Sequence, residues 1–346
     1  MNTAVVILNW NGKKFLERFL PAVIEYSKDD ATVIIADNDS TDDSVEYLEK
    51  HYPGIRIIRL EKNRGYAGGY NMALRQIEAD YFILLNSDIE VTENWIPPVI
   101  SLMEDDHTIA ACQPKIRSYH EKEKFEYAGA AGGFIDKYGY PFCQGRLFQA
   151  IENDTGQYEE IREIFWATGA CMFVRSSVFH ELGGFDDEFF AHMEEIDFCW
   201  RAKNAGHKIM YCPGSTIFHI GGGTLPRKNS RKTYLNIRNN IIMLFKNLES
   251  ERLLKVLTAR VILDYVAAIK FLIDGGFRDM AAVIQAHFYI ISNLRRLRKK
   301  REKIVHNRVS QIYWGNIVLR HFVAQKKTFR QLDPHRFTGN QPGSSE

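Results

Sequence analysis

"ATVIIADNDSTDDSVEYLEKHY", Ala31 to Tyr52, holds two structural periods in one short stretch. Thr32 to Ala36 is an unbroken β-branched and apolar run, the pattern of a strand covered on both faces. Asp37-Asn38-Asp39-Ser40 breaks it, and a cluster of Thr, Asp and Ser then opens a segment of helical spacing. A strand that feeds directly into a capped helix is half of a parallel crossover unit. The break also raises a chemical question. Asp39 or Ser40 serves as a helix cap better than Asp37 does, which leaves the Asp37 carboxylate at an open strand end, placed to accept from an imide N–H such as uracil or thymine presents.

The same unit recurs on both sides. Upstream, "TAVVILN" leads into "GKKFLERFLPAVIEY"; downstream, "IRIIRL" leads into "AGGYNMALRQI" and then "DYFILLN". This alternation predicts a parallel sheet with helices on both faces, in which ligands sit beyond the carboxyl ends of the strands. Polar residues gather at those ends: Asn9-Trp10-Asn11, Asp37-Asn38-Asp39, Asn63-Arg64-Gly65 and Asn86-Ser87-Asp88. The glycines of "NRGYAGGYN", Asn63 to Asn71, allow close approach of backbone to a ligand before a helix N-terminus, which suits a diphosphate.

Beyond Thr108 the pattern loosens. Residues 108–157 are Gly-rich and predict irregular hairpins or a flap over the site. "GACMFVR" reads as a strand, "SSVFHELGGFD" and "MEEIDFCWRAKNAG" as helices, and "KIMYC" and "STIFHI" as two short strands. From about Thr224 the chain turns helical and basic, and from Asp333 it reads as a disordered polar tail.

A net charge of +2 and a hydrophobic content of 45% over 346 residues are those of a globular protein, not of a nucleic-acid binder or a disordered chain. Five widely spaced cysteines without a Cys-x-x-Cys pair read as buried thiols of a reducing compartment. The N-terminus lacks the pattern of a secretory signal, and no apolar run reaches the roughly 20 residues of a spanning helix. The expectation is therefore a cytoplasmic protein.

The sequence argues against two familiar sheet-borne functions. "NWNGKKF" has one glycine where a dinucleotide fingerprint needs three, and no Gly-Lys-Ser/Thr phosphate loop occurs. The remaining chemistry-bearing groups are Asp88, the acidic cluster Glu194-Glu195-Ile196-Asp197, and His219 before a glycine loop. Asn86-Ser87-Asp88 is compatible with a plain turn, and the acidic cluster with a helix start. A histidine near a carboxylate also suits a hard divalent metal.

Taken in order, "VVILNWNG", "VIIADNDSTDDS", "NRGYAGGYN", "LLNSDIEV", "GACMFVRSSVFHELGGFDDEFF", "MEEIDFCWRAKNAGHKIMYCPGSTIFHIGGGT" and "RNNIIMLFKN" resemble the family 2 glycosyltransferases, most closely their bacterial rhamnosyltransferase-like branch. The resemblance implies an α/β GT-A fold over residues 1–248, with a nucleotide-binding half at 1–107 and an acceptor-binding half at 108–248 around one mixed sheet. It implies an inverting transfer from a UDP- or dTDP-sugar to a carbohydrate hydroxyl, with a lipid-linked acceptor in bacterial cell-surface polysaccharide synthesis. Leu8, Asn9, Trp10, Asn11 and Asp37 would hold the base. Asn63, Gly65, Gly69, Asn71, Asn86 and Ser87 would hold the rest of the nucleotide sugar, and Asp88 with His219 would carry Mg2+ or Mn2+. Where the family usually has Glu-Asp, this chain has Glu194-Glu195, which makes Glu195 the expected base, with Glu194 and Asp197 as substitutes. Asn86 stands where the metal motif usually has its first aspartate. A nucleotidyltransferase, and a nucleotide-binding protein that has lost catalysis, are the competing readings.

Residues 249–332 form an expected helical appendage with broad apolar faces and the basic run Arg295 to Arg301. Two readings stand side by side: contact with the inner face of an anionic membrane, or packing on protein, a second subunit of a homodimer included.

Overall fold

A computed structural model describes residues 2–221 and 229–339. The first half is β1 (Thr3–Asn9), α1 (Lys13–Ser27), β2 (Thr32–Asp37), α2 (Ser44–His51), β3 (Arg56–Arg59), α3 (Gly65–Leu74) and β4 (Tyr81–Asn86). The strands run parallel in the order β3, β2, β1, β4. Alternation along β1 shows why its sequence is apolar throughout. Val5 and Ile7 pack with Leu16, Leu20 and Val23 of α1 on one face, while Ala4 and Val6 join Tyr70 and Leu74 of α3 on the other. The parallel register sets Asn9 beside Asp37 and Leu8 beside Asn86, so the polar strand ends form one row.

The second half extends the same sheet. It contains β5 (Ile89–Val91), α4 (Pro97–Asp105), β6 (Ile109–Ser118), β7 (Gly133–Asp136), β8 (Pro141–Cys143), β9 (Arg146–Leu147), β10 (Ala150–Ile151), β11 (Arg162–Ile164), β12 (Cys171–Arg175), α5 (Ser176–Glu181), α6 (Glu194–Asn204) and β13 (Lys208–His219). Strand β12 joins β4 antiparallel, and β6, β13 and β11 follow outward, with β5 paired to the end of β13. The result is one nine-stranded mixed sheet. Residues 108–157 are therefore more regular than the sequence suggests: β6 is a long, largely buried strand inside the main sheet. The Gly-rich part builds a second sheet in the order β10, β9, β8, β7, β14, where β14 is Ile312–Tyr313. "KIMYC" and "STIFHI" are likewise one strand, β13, whose register shifts between Cys212 and Thr216. Pro213 lies in that shift, and a residue without an N–H interrupts the ladder there without ending it.

Three helices follow as expected in kind: α7 (Ser230–Asn247), α8 (Ser250–Ile273) and α9 (Phe277–Ser292). The basic run breaks away at Asn293 as a separate α10 (Leu294–Arg301), and α11 (Ile317–Phe322) comes later. The region after Leu248 is tied to the body and not merely appended. Arg260 of α8, 2% exposed, donates to Tyr138 O (3.1 Å) and to Asp264 (3.0 Å), and β14 pairs with β7. The tail expected from Asp333 is ordered through Gly339, because Phe337 is buried against Phe134 and Tyr313. Residues 340–346 and the glycine loop beyond Gly221 lie outside the described residues.

Candidate active site

Asp88 closes the tight turn between β4 and β5, so the turn reading holds, yet its carboxylate does not point to water. It is 7% exposed, and its Oδ1 lies 3.2 Å from Nε2 of His219, the last residue of β13. The pairing of β5 with β13 brings them together, since His219 stands opposite Ile89 in the register. Burial alone would raise the Asp88 pKa, but the bond to His219 outweighs it and holds the carboxyl below its usual range. Burial would lower His219, and the charge of Glu126 with the bond to Asp88 holds it up at about 10.

Glu126 was not legible in the sequence. Its Oε2 faces His219 Nδ1 at 3.3 Å, short of a fully aligned hydrogen bond, and is fixed by the Ala128 N–H. A carboxylate behind a histidine sets which ring nitrogen stays free for a ligand. No group of three His, Cys, Asp or Glu side chains converges on a metal position among the described residues. A buried carboxylate facing an imidazole nonetheless fits a divalent cation that displaces the Nε2 proton and takes its other oxygens from a ligand and water.

The second cluster lies at the start of α6. Glu194 and Glu195 are close enough to interact, and the outer oxygen of each is buried without a hydrogen-bond partner. Burial and the charge of Glu195 push Glu194 well above the carboxylate range. Burial lifts Glu195 to about 7, limited by the backbone N–H groups of Glu195, Ile196 and Met193. Both carboxyls are therefore raised above the usual carboxylate range, Glu194 the further, and the pair holds a proton more readily than free glutamates do. Tyr66 reaches this cluster from α3 and donates to Gly169 O (2.6 Å).

Asp197 does not join them. It is fully buried and accepts from Arg201 Nε (2.9 Å), Lys246 Nζ (3.0 Å) and Asn247 Nδ2 (2.8 Å), so it anchors α6 to α7. Asn71 is also engaged inside the fold: it donates to Phe185 O (2.8 Å) and Asp187 Oδ1 (2.5 Å) and accepts from the Phe185 N–H (2.9 Å). The N-terminus of α3, expected to receive a diphosphate, is occupied by the chain itself. The Phe190 carbonyl accepts from the Tyr66 and Ala67 N–H groups (2.7 and 3.3 Å). Gly65, at φ 68°, admits that carbonyl where a Cβ would overlap it.

The remaining expected positions line the row of strand ends. Asn9 donates to Asp37 (3.0 Å) and Ser40 (3.1 Å), while its Oδ1 is buried without a partner. Asn11 accepts from the Thr41 and Asp42 N–H groups (2.7 and 3.2 Å) and so ties the first two loops together, while Trp10 beside it is 44% exposed. Leu8 packs where a Cβ on Gly69 would meet it at 2.9 Å. The Asn63 carboxamide accepts from the Gly65 N–H (2.8 Å), Asn86 donates its N–H to Ala170 O (2.9 Å), and Ser87 borders Gly12.

Asn239 on α7 is a second residue the sequence did not single out by role. Fully buried, its amide faces the carbonyls of Phe189 (3.0 Å), Ala191 (3.0 Å) and His192 (2.7 Å). These belong to the loop that enters α6, where Phe190, His192 and Met193 all adopt positive φ. One side chain thus clamps the strained turn that delivers Glu194 and Glu195.

The chain is 24% identical over 323 residues to the N-acetylglucosaminyl-diphospho-decaprenol L-rhamnosyltransferase of Mycobacterium tuberculosis, covering 88% of this chain and 98% of that protein. Among solved structures it is similar to Staphylococcus aureus TarS 1-349 in complex with UDP-GlcNAc (TM-score 0.55, 15% identity, 87% of this chain and 88% of that one). It is similar also to GalNAc-T7 with UDP, GalNAc and Mn2+ (TM-score 0.55, 18% identity), covering 71% of this chain but only about half, 48%, of that protein. Both likenesses are to the GT-A fold. The family model described as glycosyl transferase family 2 matches residues 4–183, more than half of the chain. The chain accordingly belongs to glycosyl transferase family 2 and is a glycosyltransferase.

Proposed function

We propose that the protein transfers a sugar from a UDP- or dTDP-sugar, with inversion, to a hydroxyl of a lipid-linked carbohydrate acceptor in the synthesis of a cell-surface polysaccharide. The observation that carries this reading is the adjacent pair Glu194 and Glu195 at the start of α6, each with a carboxylate oxygen that no donor of the protein fills, Glu195 being lifted to about 7 by burial. A single displacement at an anomeric carbon needs a group that takes the acceptor's proton at neutral pH, and a carboxylate tuned there is matched to the task. Glu195 accepts the proton as the acceptor oxygen attacks; Glu194, raised the further of the two, adds less charge to repel the attacking oxygen.

Asp88 and His219 would hold the Mg2+ or Mn2+ ion, with Glu126 orienting the imidazole. When bound, a divalent ion neutralises charge on the leaving diphosphate. Asn9, Trp10, Asn11 and Asp37 at the strand ends receive the base, with Asp37 accepting from its imide N–H. The donor class is supported by the nucleotides in the similar structures, and the lipid-linked acceptor by the rhamnosyltransferase. A nucleotidyltransferase has no use for such a base, and a pure binding protein has no need to keep one buried carboxylate oxygen without a partner on each of two adjacent glutamates.

The test is donor turnover. Wild type is expected to release nucleoside diphosphate from a UDP- or dTDP-sugar in the presence of a polyprenyl-diphosphate sugar, whereas Glu195→Gln retains nucleotide binding and loses turnover. Undiminished turnover in Glu195→Gln contradicts the base assignment. Nucleotide binding without turnover of any donor by wild type favours the binding protein.

A further inference from the structure

The sequence left the helices after Leu248 with two readings, and their surface distinguishes them. Twelve of the 21 large hydrophobic residues exposed among the described residues lie on α8 and α9. Leu254, Ile262, Ile273, Phe277, Phe288 and Ile291 are each at least 60% exposed. They are not scattered. On each helix they lie opposite the inward line, which is Val256, Arg260, Asp264 and Ala268 on α8 and Ala282, Val283, Ala286 and Ile290 on α9. Tyr265 of the α8 stripe stacks on His287, on the inward side of α9, at 5.3 Å and so sets the two helices side by side. A contiguous apolar face of this kind marks an interaction surface.

Charge selects the occupant. Within the basic run, Arg296 and Lys300 are bound to Glu188 and Asp186, and Arg301 donates to backbone carbonyls at the end of α7. Arg295, Arg298 and Lys299 are exposed and carry no ion pair among the described residues. They follow Ile291 at the end of the apolar face. A second copy of this chain offers them little. Asp264 is buried on Arg260 and Asp274 is paired with Lys270, so the acids of α8 to α10 without an ion pair among the described residues are Glu251 and the half-buried Asp279, which accepts from Thr233. No described helix is long and apolar enough to cross a membrane. Amphipathic helices with a broad apolar face and free cations at its border lie in the plane of an anionic bilayer.

We propose that the outer face of α8 and α9, with Arg295, Arg298 and Lys299, docks the protein on an anionic lipid surface. The inference stands on this surface alone and does not depend on the donor or acceptor assigned above.

The test is flotation of the full chain with phosphatidylglycerol-rich vesicles, compared with pure phosphatidylcholine vesicles. Wild type is expected to float with the former and to bind the latter more weakly. Phe288→Asp combined with Ile291→Asp removes binding to both, and each of Arg295→Glu and Arg298→Glu weakens binding to the anionic vesicles by roughly fivefold or more. These side chains are exposed, so the variants keep the wild-type melting temperature. Failure of wild type to float overturns the proposal. So does a stable dimer in sedimentation velocity that Phe288→Asp with Ile291→Asp dissociates, because the face is then covered by a second copy.

Discussion

Removing the Asn239 amide tests whether the entry to α6 is held from outside. The loop from Phe189 to Met193 contains three non-glycine residues at positive φ, each a conformation that costs on the order of 1 kcal/mol or more and persists only when neighbours enforce it. Asn239 supplies that enforcement through carbonyls at 2.7 to 3.0 Å and also accepts from Arg238 Nε at 2.9 Å. Asn239→Ala removes the side-chain donor from the Ala191 and His192 carbonyls and the acceptor from Arg238 Nε, while the Phe189 carbonyl keeps the Ala191 N–H and Arg238. With a net loss of about 1 kcal/mol per hydrogen bond and the penalty for unsatisfied groups, the expected cost is about 2–4 kcal/mol. At about 1.4 °C per kcal/mol for a chain of 346 residues, melting falls by roughly 3–6 °C. The catalytic effect is larger than the thermal one. Once the loop relaxes, Glu195 is displaced, and a misplacement of about 1 Å costs about 100-fold in rate. The assays are thermal unfolding and donor turnover at saturating nucleotide sugar. A variant that melts within about 1 °C of wild type and turns over normally would show that the turn holds itself, and would refute the clamp.

Other perturbations follow from the same geometry. Glu195→Gln is expected to lower turnover by about 100-fold or more with little change in UDP affinity by calorimetry. In wild type, turnover should rise with pH up to about 7 and then level, because the base must lose its proton; a profile flat from pH 5 to 8 points to another base. The same carboxyl links pH to stability: a folded pKa raised above the unfolded value means that the stability contributed below about 4.5 is lost as pH rises through about 7, which urea titrations across that window measure. Glu126→Gln should weaken Mn2+ binding by about tenfold, measured by calorimetry without any donor, since it loosens the orientation of His219; unchanged affinity means the ring needs no support. Gly65→Ala should destabilise the fold by about 2 kcal/mol or more, because it combines a strained φ of 68° with overlap on the Phe190 carbonyl; a neutral effect in chemical denaturation would mean that carbonyl moves freely.

What the sequence revealed followed its periods. β1, β2 and β4 are buried on both faces and therefore read as unbroken apolar runs, and their polar ends stand in one row in the sheet, as the alternation predicts. Asp88 and His219, far apart in the chain, were legible only through ordered motifs, because the β5–β13 pairing that unites them leaves no local signal. Glu126 was missed for the same reason: it lies in the Gly-rich stretch whose small strands are too short to show a period. The α3 glycines were read as space for a phosphate, when Gly65 makes room for the chain's own Phe190 carbonyl. Asp197 shows a further limit. Spacing placed it with the acidic cluster, but only tertiary structure shows three donors from Arg201, Lys246 and Asn247 neutralising it.

The most direct test is calorimetric titration of UDP and dTDP, each with and without Mn2+ or Mg2+, into wild type and Asp88→Ala. Metal-dependent binding of one of the two nucleotides, lost in the variant, is the expected result. Binding indifferent to both metal and Asp88 would mean that the Asp88–His219 pair serves only the fold, and would contradict the proposed site.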